Sequence, residues 1–168
     1  MASRGADLEK ALMIAASRGA AEAVNILLQK GANPNARDAA SGATPLIIAA
    51  AGGHEKVARL LLEKKAEVDA RDQQTGYTAL MIAAAKGRQE FAKALVDAGA
   101  DINAETTDGT TALMIAAASG QKVLVQFLLT NGADPTKKND LGLTALRYAE
   151  GKGQAEIAQI LKQAEATD

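Results

Sequence analysis

His54 is the single histidine in a chain of 168 residues, and there is no cysteine. Those two counts restrict what reactions the chain can attempt. A general base needs a partner that orients it and a reacting group within reach. His54 instead falls directly after Gly53, at the opening of a segment with helical periodicity, and reads as a structural residue. Without cysteine there are no disulfides, no thiolate nucleophile and no cysteine-ligated zinc. Only carboxylates are left as metal ligands, and Asp38, Asp72 and Asp108 read as turn formers. No Gly-X4-Gly-Lys-Ser/Thr loop is present to cradle phosphates. Met13, Met81 and Met114 share one register and could form a soft binding strip, but flanking leucine and isoleucine make them a packing seam. The sequence therefore predicts no catalytic residues, no metal and no cofactor.

Composition narrows the partner classes too. Apolar residues make up 48% and charged residues 23%, a globular balance. With two Phe, two Tyr and no Trp, burial must come from Ala, Leu, Ile and Val in thin layers between closely packed elements. Nineteen Lys and Arg against 20 Asp and Glu give a net charge of −1, without the basic excess that nucleic-acid binding calls for. The opening Met1-Ala-Ser-Arg-Gly-Ala-Asp-Leu-Glu-Lys lacks the apolar region of a signal peptide. No apolar run approaches the roughly 18–20 residues that span a bilayer. These features predict a cytoplasmic monomer that binds neither nucleic acid nor membrane.

What positions the side chains is a repeat. The hexad Ala-Leu-Met-Ile-Ala-Ala occurs at Ala11–Ala16, Ala79–Ala84 and Ala112–Ala117. Its leucine and the near-copies (Leu12, Leu46, Leu80, Leu113, Leu146) are spaced by 34, 34, 33 and 33 residues. Gly19, Gly53, Gly87, Gly120 and Gly153 keep the same step. Five units follow, with approximate bounds 7–42, 43–76, 77–109, 110–142 and 143–168, forming one domain. Each reads as helix, turn, helix, loop. Thr44, Thr78, Thr111 and Thr144 can cap the first helix, Pro45 suits its first position, and Gly87 can stop it. In the third unit a second helix is predicted over about Gln89 to Asp97, with Phe91, Ala94, Leu95 and Ala98 on one face. Glu22, Glu55, Glu90 and Glu156 lie in the first turns of the second helices, where the dipole favours them. Gly31, Gly99 and Gly132 end those helices, but Lys65 stands at the matching place in unit two. That terminus is expected to be strained, or else its helix runs on.

Thr44-Pro-Leu-Ile-Ile-Ala-Ala50, together with Leu27-Leu28-Gln-Lys-Gly31-Ala-Asn-Pro-Asn35 and Leu95-Val-Asp-Ala-Gly99-Ala-Asp-Ile-Asn103, resembles the ankyrin repeat. The resemblance covers roughly residues 7–164. It implies an all-α solenoid of stacked helix-turn-helix units with β-turn fingers along one side. The histidine of the family signature is replaced by Met13, Ile47, Met81, Met114 and Arg147, so its hydrogen bonds must give way to packing. The last unit is more polar, with Arg147, Glu150, Gln159 and Lys162, and the first begins with Asp7-Leu-Glu-Lys where a finger would be. Both read as caps of a complete array, since a terminal unit has one face without a neighbour.

Partners of such arrays usually contact the finger tips and the concave side of the inner helices. Mapped onto this chain, that surface comprises Arg37, Asp38, Arg71, Gln73, Tyr77, Thr107, Thr110 and Leu143 in the fingers, with Lys86 and Ser119 at the helix ends. Tyr77 is either a hot spot for a protein partner or a ring packed over its own finger. The expected function is non-enzymatic protein binding. The alternative is a designed or consensus-like scaffold without a natural partner, as the identical hexads would also suggest.

Overall fold

The computed structural model describes residues 2–166. Among them the chain forms ten helices: α1 (Ala2–Ser17), α2 (Ala21–Gln29), α3 (Pro45–Gly52), α4 (Glu55–Glu63), α5 (Ala79–Lys86), α6 (Gln89–Asp97), α7 (Ala112–Ala118), α8 (Lys122–Thr130), α9 (Ala145–Gly151) and α10 (Ala155–Glu165). Each consecutive pair is a hairpin, and five hairpins stack side by side. The odd-numbered helices pack in succession as an inner layer and the even-numbered ones as an outer layer. A single antiparallel bridge, Glu105 to Thr111, is the only β pairing among the described residues.

The inner helices α3, α5, α7 and α9 are short because both ends are stopped chemically. Thr44, Thr78, Thr111 and Thr144 sit in extended backbone, and their hydroxyls accept from Ile47, Met81, Met114 and Arg147 N–H. Such a cap contributes about 1 kcal/mol. Thr44, Thr78 and Thr111 are themselves buried, so each hydroxyl needs that partner. At the other end Gly87 takes φ +69°, a left-handed turn that a Cβ disfavours. Asp7–Lys10, expected to open the first unit in place of a finger, lies inside α1, which runs for 16 residues.

The core is the thin aliphatic layer that the composition implies. Leu12, Leu46, Leu80 and Leu113 are fully buried between units, and Met81 and Met114 join them. Met13 is half-buried, so the methionine register is a seam between neighbours. Each outer helix buries one face, as with Phe91, Ala94 and Leu95 on α6. Ala98, assigned to that face by spacing, is instead the exposed C-cap of α6, because the helix has ended before the stripe returns inward. No buried side-chain nitrogen or oxygen among the described residues lacks a hydrogen-bond partner.

The outer helices end in a hydrogen-bonded pattern that resolves the question posed by Lys65. In α4, Lys65 N–H donates to the Leu62 carbonyl and Ala66 N–H to the Leu61 carbonyl, both at 2.9 Å. Gly31 and Ala32, Gly99 and Ala100, and Gly132 and Ala133 repeat the arrangement. This is the Schellman ending, and it needs positive φ at its penultimate position. Lys65 supplies it at φ +63°, the one non-glycine residue among those described to do so. The helix does not run on. The strained position is also tied to the previous unit, since Asn35 Nδ2 donates to the Lys65 carbonyl at 3.4 Å while Asn35 Oδ1 accepts from Glu67 N–H at 2.7 Å. Asn103 does the same to Gly132 and Asp134, both at 2.9 Å. Asp69, at the equivalent place in unit two, accepts from Asp101 N–H, at 3.0 and 3.2 Å to its two oxygens.

Candidate interaction surface

The fingers are stacked on one another by backbone and side-chain bonds. Asp38 accepts from Ala40 N–H, Ser41 N–H and the Ser41 hydroxyl, folding the first finger back on itself. Asp72 does likewise with Gln74, Thr75 and Tyr77, and Asp108 with Thr106 and Thr110. Hydrogen bonds from the Ser41 side chain, then its backbone, hold the Asp38 carboxyl below the ordinary carboxylate value. Burial works against ionisation of Asp72, but the bonds from Thr75, Gln74 and Tyr77 outweigh it and its pKa is also lowered. The Thr106 and Thr110 side chains lower that of Asp108. These are turn-forming carboxylates, and no group of three or more metal-ligating side chains occurs among the described residues.

The two arginines of the candidate surface are engaged within the array. Arg37 Nη1 donates to the Gly42 carbonyl at 3.0 Å and to the Arg71 carbonyl, one unit on, at 2.8 Å. Arg71 in turn donates to the Glu105 carbonyl, and the Glu105 carboxylate pairs with Lys137. The guanidiniums thus work as a ladder between fingers. Gln73 N–H bonds the Ser41 carbonyl at 2.9 Å, and its side chain lies over Gly42. Thr107 is exposed against Gly76, and Thr110 is half-buried with its N–H on the Thr106 hydroxyl. Leu143 is half-buried, its N–H on Asn139. The apolar tip of that finger is Leu141, 77% exposed.

Tyr77 is half-buried against the core cluster. Burial pushes its phenol pKa up, and the nearby charges of Asp108, Tyr148 and Asp72 add to the effect. In the last unit, at the register of Ile82, the Tyr148 hydroxyl accepts from Asn139 Nδ2 at 2.8 Å.

Between the fingers and the far ends of the inner helices runs an apolar stripe that the sequence reading had placed in the core. Ile14 is 44% exposed, and Ile48 and Ile82 are half-buried. Ile115, the fourth member, is buried, with 8% of its surface exposed. The signal was present in the helical spacing: Ile82 lies four residues before Lys86, which the sequence places on the concave side. Lys86 and Ser119 are exposed beyond the stripe, at the ends of α5 and α7.

His54 belongs to a structural series. Its Nε2 donates to the Ser17 carbonyl at 3.0 Å, and its ring covers Gly19 of the preceding unit. Arg88 covers Gly53, Gln121 covers Gly87 and Gln154 covers Gly120. A Cβ on any of these glycines would meet the next unit's side chain, so the glycine serves both the turn and the stacking contact. A hollow of about 450 Å³ lined by Glu150, Gln154, Ala158 and Lys162 opens at the end face of the last unit, away from the concave side.

Stacked hairpins, capped inner helices and laddered fingers at a 33–34-residue step form one recurring pattern. The family model for ankyrin repeats (3 copies) matches residues 12–106 and again residues 102–168. The chain belongs to the ankyrin repeat family. No curated protein matches its sequence. Ankyrin repeats are generally protein–protein interaction modules, and the family is generally non-enzymatic. No helix among the described residues is long and apolar enough to cross a membrane. The ankyrin signature histidine is replaced here by Met81 and Met114, which are buried without polar atoms to satisfy, and by the exposed Arg147 of the last unit.

Proposed function

We propose that this ankyrin array is a monomeric cytoplasmic module that holds a protein partner across its finger tips and concave face, with no catalytic step. The observation that carries the reading is the stripe on successive inner helices of Ile14, exposed, with Ile48 and Ile82, half-buried; Ile26 of α2 and Val123 of α8 are exposed on the outer layer as single residues. Solenoids use such concave surfaces for binding. Tyr77 borders the stripe as a rigid, amphipathic anchor of the type enriched in hot spots. The absence of cysteine suits a reducing compartment.

The test is a pull-down followed by affinity measurement on variants. Tyr77→Ala should cost on the order of 2 kcal/mol in binding, about thirtyfold, measured below a thermal midpoint that the lost packing lowers while the array stays folded. Lys86→Glu should weaken the complex too, and Lys93→Glu on the outer helix α6 should not. Equal loss from both faces removes the concave side from the account. Failure of any host lysate to yield a partner favours a consensus-like scaffold instead.

A further inference from the structure

The groove carries an uneven distribution of charge that bears on what it holds. Three of the five inner helices end in an exposed basic residue: Arg18 just after α1, Lys86 in the last turn of α5 and Lys152 at the C-cap of α9. None forms an ion pair with a described residue. Helices α3, α5 and α7 contain no acidic residue, Asp7 and Glu9 of α1 lie more than two turns before Arg18, and Glu150 of α9 is paired with Arg147 and Lys162. The finger carboxylates Asp38, Asp72 and Asp108 stay charged while bonded in their own turns, and they precede the N-termini of the inner helices, at the opposite end from the cations. A basic residue near a helix C-terminus also serves the dipole. That role does not account for the pattern, because Gly52 and Ser119 occupy the same place in units two and four and their helices form equally well.

We propose that the concave face selects an acidic protein segment, one whose apolar side chains cover Ile14, Ile48 and Ile82 while its carboxylates meet Arg18, Lys86 and Lys152. This rests on the concave-face reading above and adds the chemistry of the partner. Burying the stripe supplies affinity, and the unpaired cations supply orientation, on-rate and rejection of basic competitors. The spacing is specific as well. Packed helices lie 8–10 Å apart, so cations two units apart are separated by about 16–20 Å. A helical partner lying along the stack presents matching acids about 11–13 residues apart.

The experiment is display selection with a library of random peptides of about 16 residues, which as helices reach roughly 24 Å and can meet two of the three cations. The full chain is the bait. Enriched peptides should combine apolar residues with an excess of Asp and Glu. A representative should lose at least about tenfold in affinity on Lys86→Glu, two units from Ile14 and within its reach, lose similarly on Ile14→Asp, and weaken as salt is raised. Lys93→Glu should leave it unchanged, and thermal melts should show each variant folded. Peptides that need Ile14 but show no acidic excess, or ignore the lysine reversal, overturn the acidic partner and leave the concave reading standing. Peptides indifferent to both, or an empty selection, overturn both. Binding of poly(U) RNA at physiological salt with the same lysine dependence makes the cations a phosphate surface and overturns the proposal.

Discussion

Replacing Lys65 with glycine removes a Cβ from the one left-handed position that the array fills with an ordinary residue. At the equivalent Gly31, Gly99 and Gly132, an added Cβ would meet nothing within 4 Å. The strain at Lys65 is therefore local to its own backbone, and no neighbour needs to move when the side chain goes. Both Schellman bonds and the Asn35 contact use main-chain atoms and survive the change. Left-handed φ disfavours a residue with a Cβ by about 1 kcal/mol. Glycine gives back part of that through a freer unfolded chain. The net expectation is a gain of roughly 0.5 kcal/mol, or about 1–2 °C in thermal midpoint for a chain of this size. Urea melts of wild type, Lys65→Gly, Lys65→Ala and Gly99→Ala measure it. Lys65→Ala should be close to neutral because the Cβ remains, and Gly99→Ala should lose roughly 0.5 kcal/mol for the mirror-image reason. A lower midpoint for Lys65→Gly, or alanine matching glycine at position 65, refutes the reasoning.

Asn103→Ala removes two inter-unit bonds at 2.9 Å and should cost about 1–2 kcal/mol in chemical denaturation, more than Asp69→Ala, whose carboxylate accepts from a single N–H. The folded-state pKa values of Asp38, Asp72 and Asp108 lie below the ordinary 3.8, so stability is complete above that value and declines as pH falls through the lower native ones. Asp72→Asn should be less stable than wild type at pH 7, and the gap should narrow toward pH 3 in acid melts. Deleting residues 143–168 strips α9 and α10 from α7 and α8 and exposes Leu113 and Leu128, so the denaturant midpoint should drop. An unchanged midpoint in a monomeric truncation contradicts a stability built from neighbour contacts.

Much of the fold was legible because its punctuation is local. Thr78 and Gly87 bracket α5, and Gln89 to Asp97 is α6, since caps and glycine turns depend only on the residues beside them. Lys65 was legible as an irregularity by register alone. The site was less so, because its bonds cross units. Arg37 looks like a free cation until the Arg71 carbonyl, 34 residues on, is found beneath it. Asn35 and Asn103 carry the ladder between outer-helix ends, and their partners are main-chain atoms that no side-chain pattern reveals. Ile14 and Ile48 look like core residues from hydropathy, yet Ile14 is exposed and Ile48 only half-buried.

The central claim is that binding resides on the concave side, and site-specific photocrosslinking tests it most directly. A photoreactive phenylalanine placed at residue 82 or at residue 93 is exposed to the captured partner, and the adduct is quantified by mass. The account predicts a strong adduct from position 82, lost on competition with unlabelled array, and none above background from position 93. A stronger adduct from position 93 would place the partner on the outer helices and contradict it.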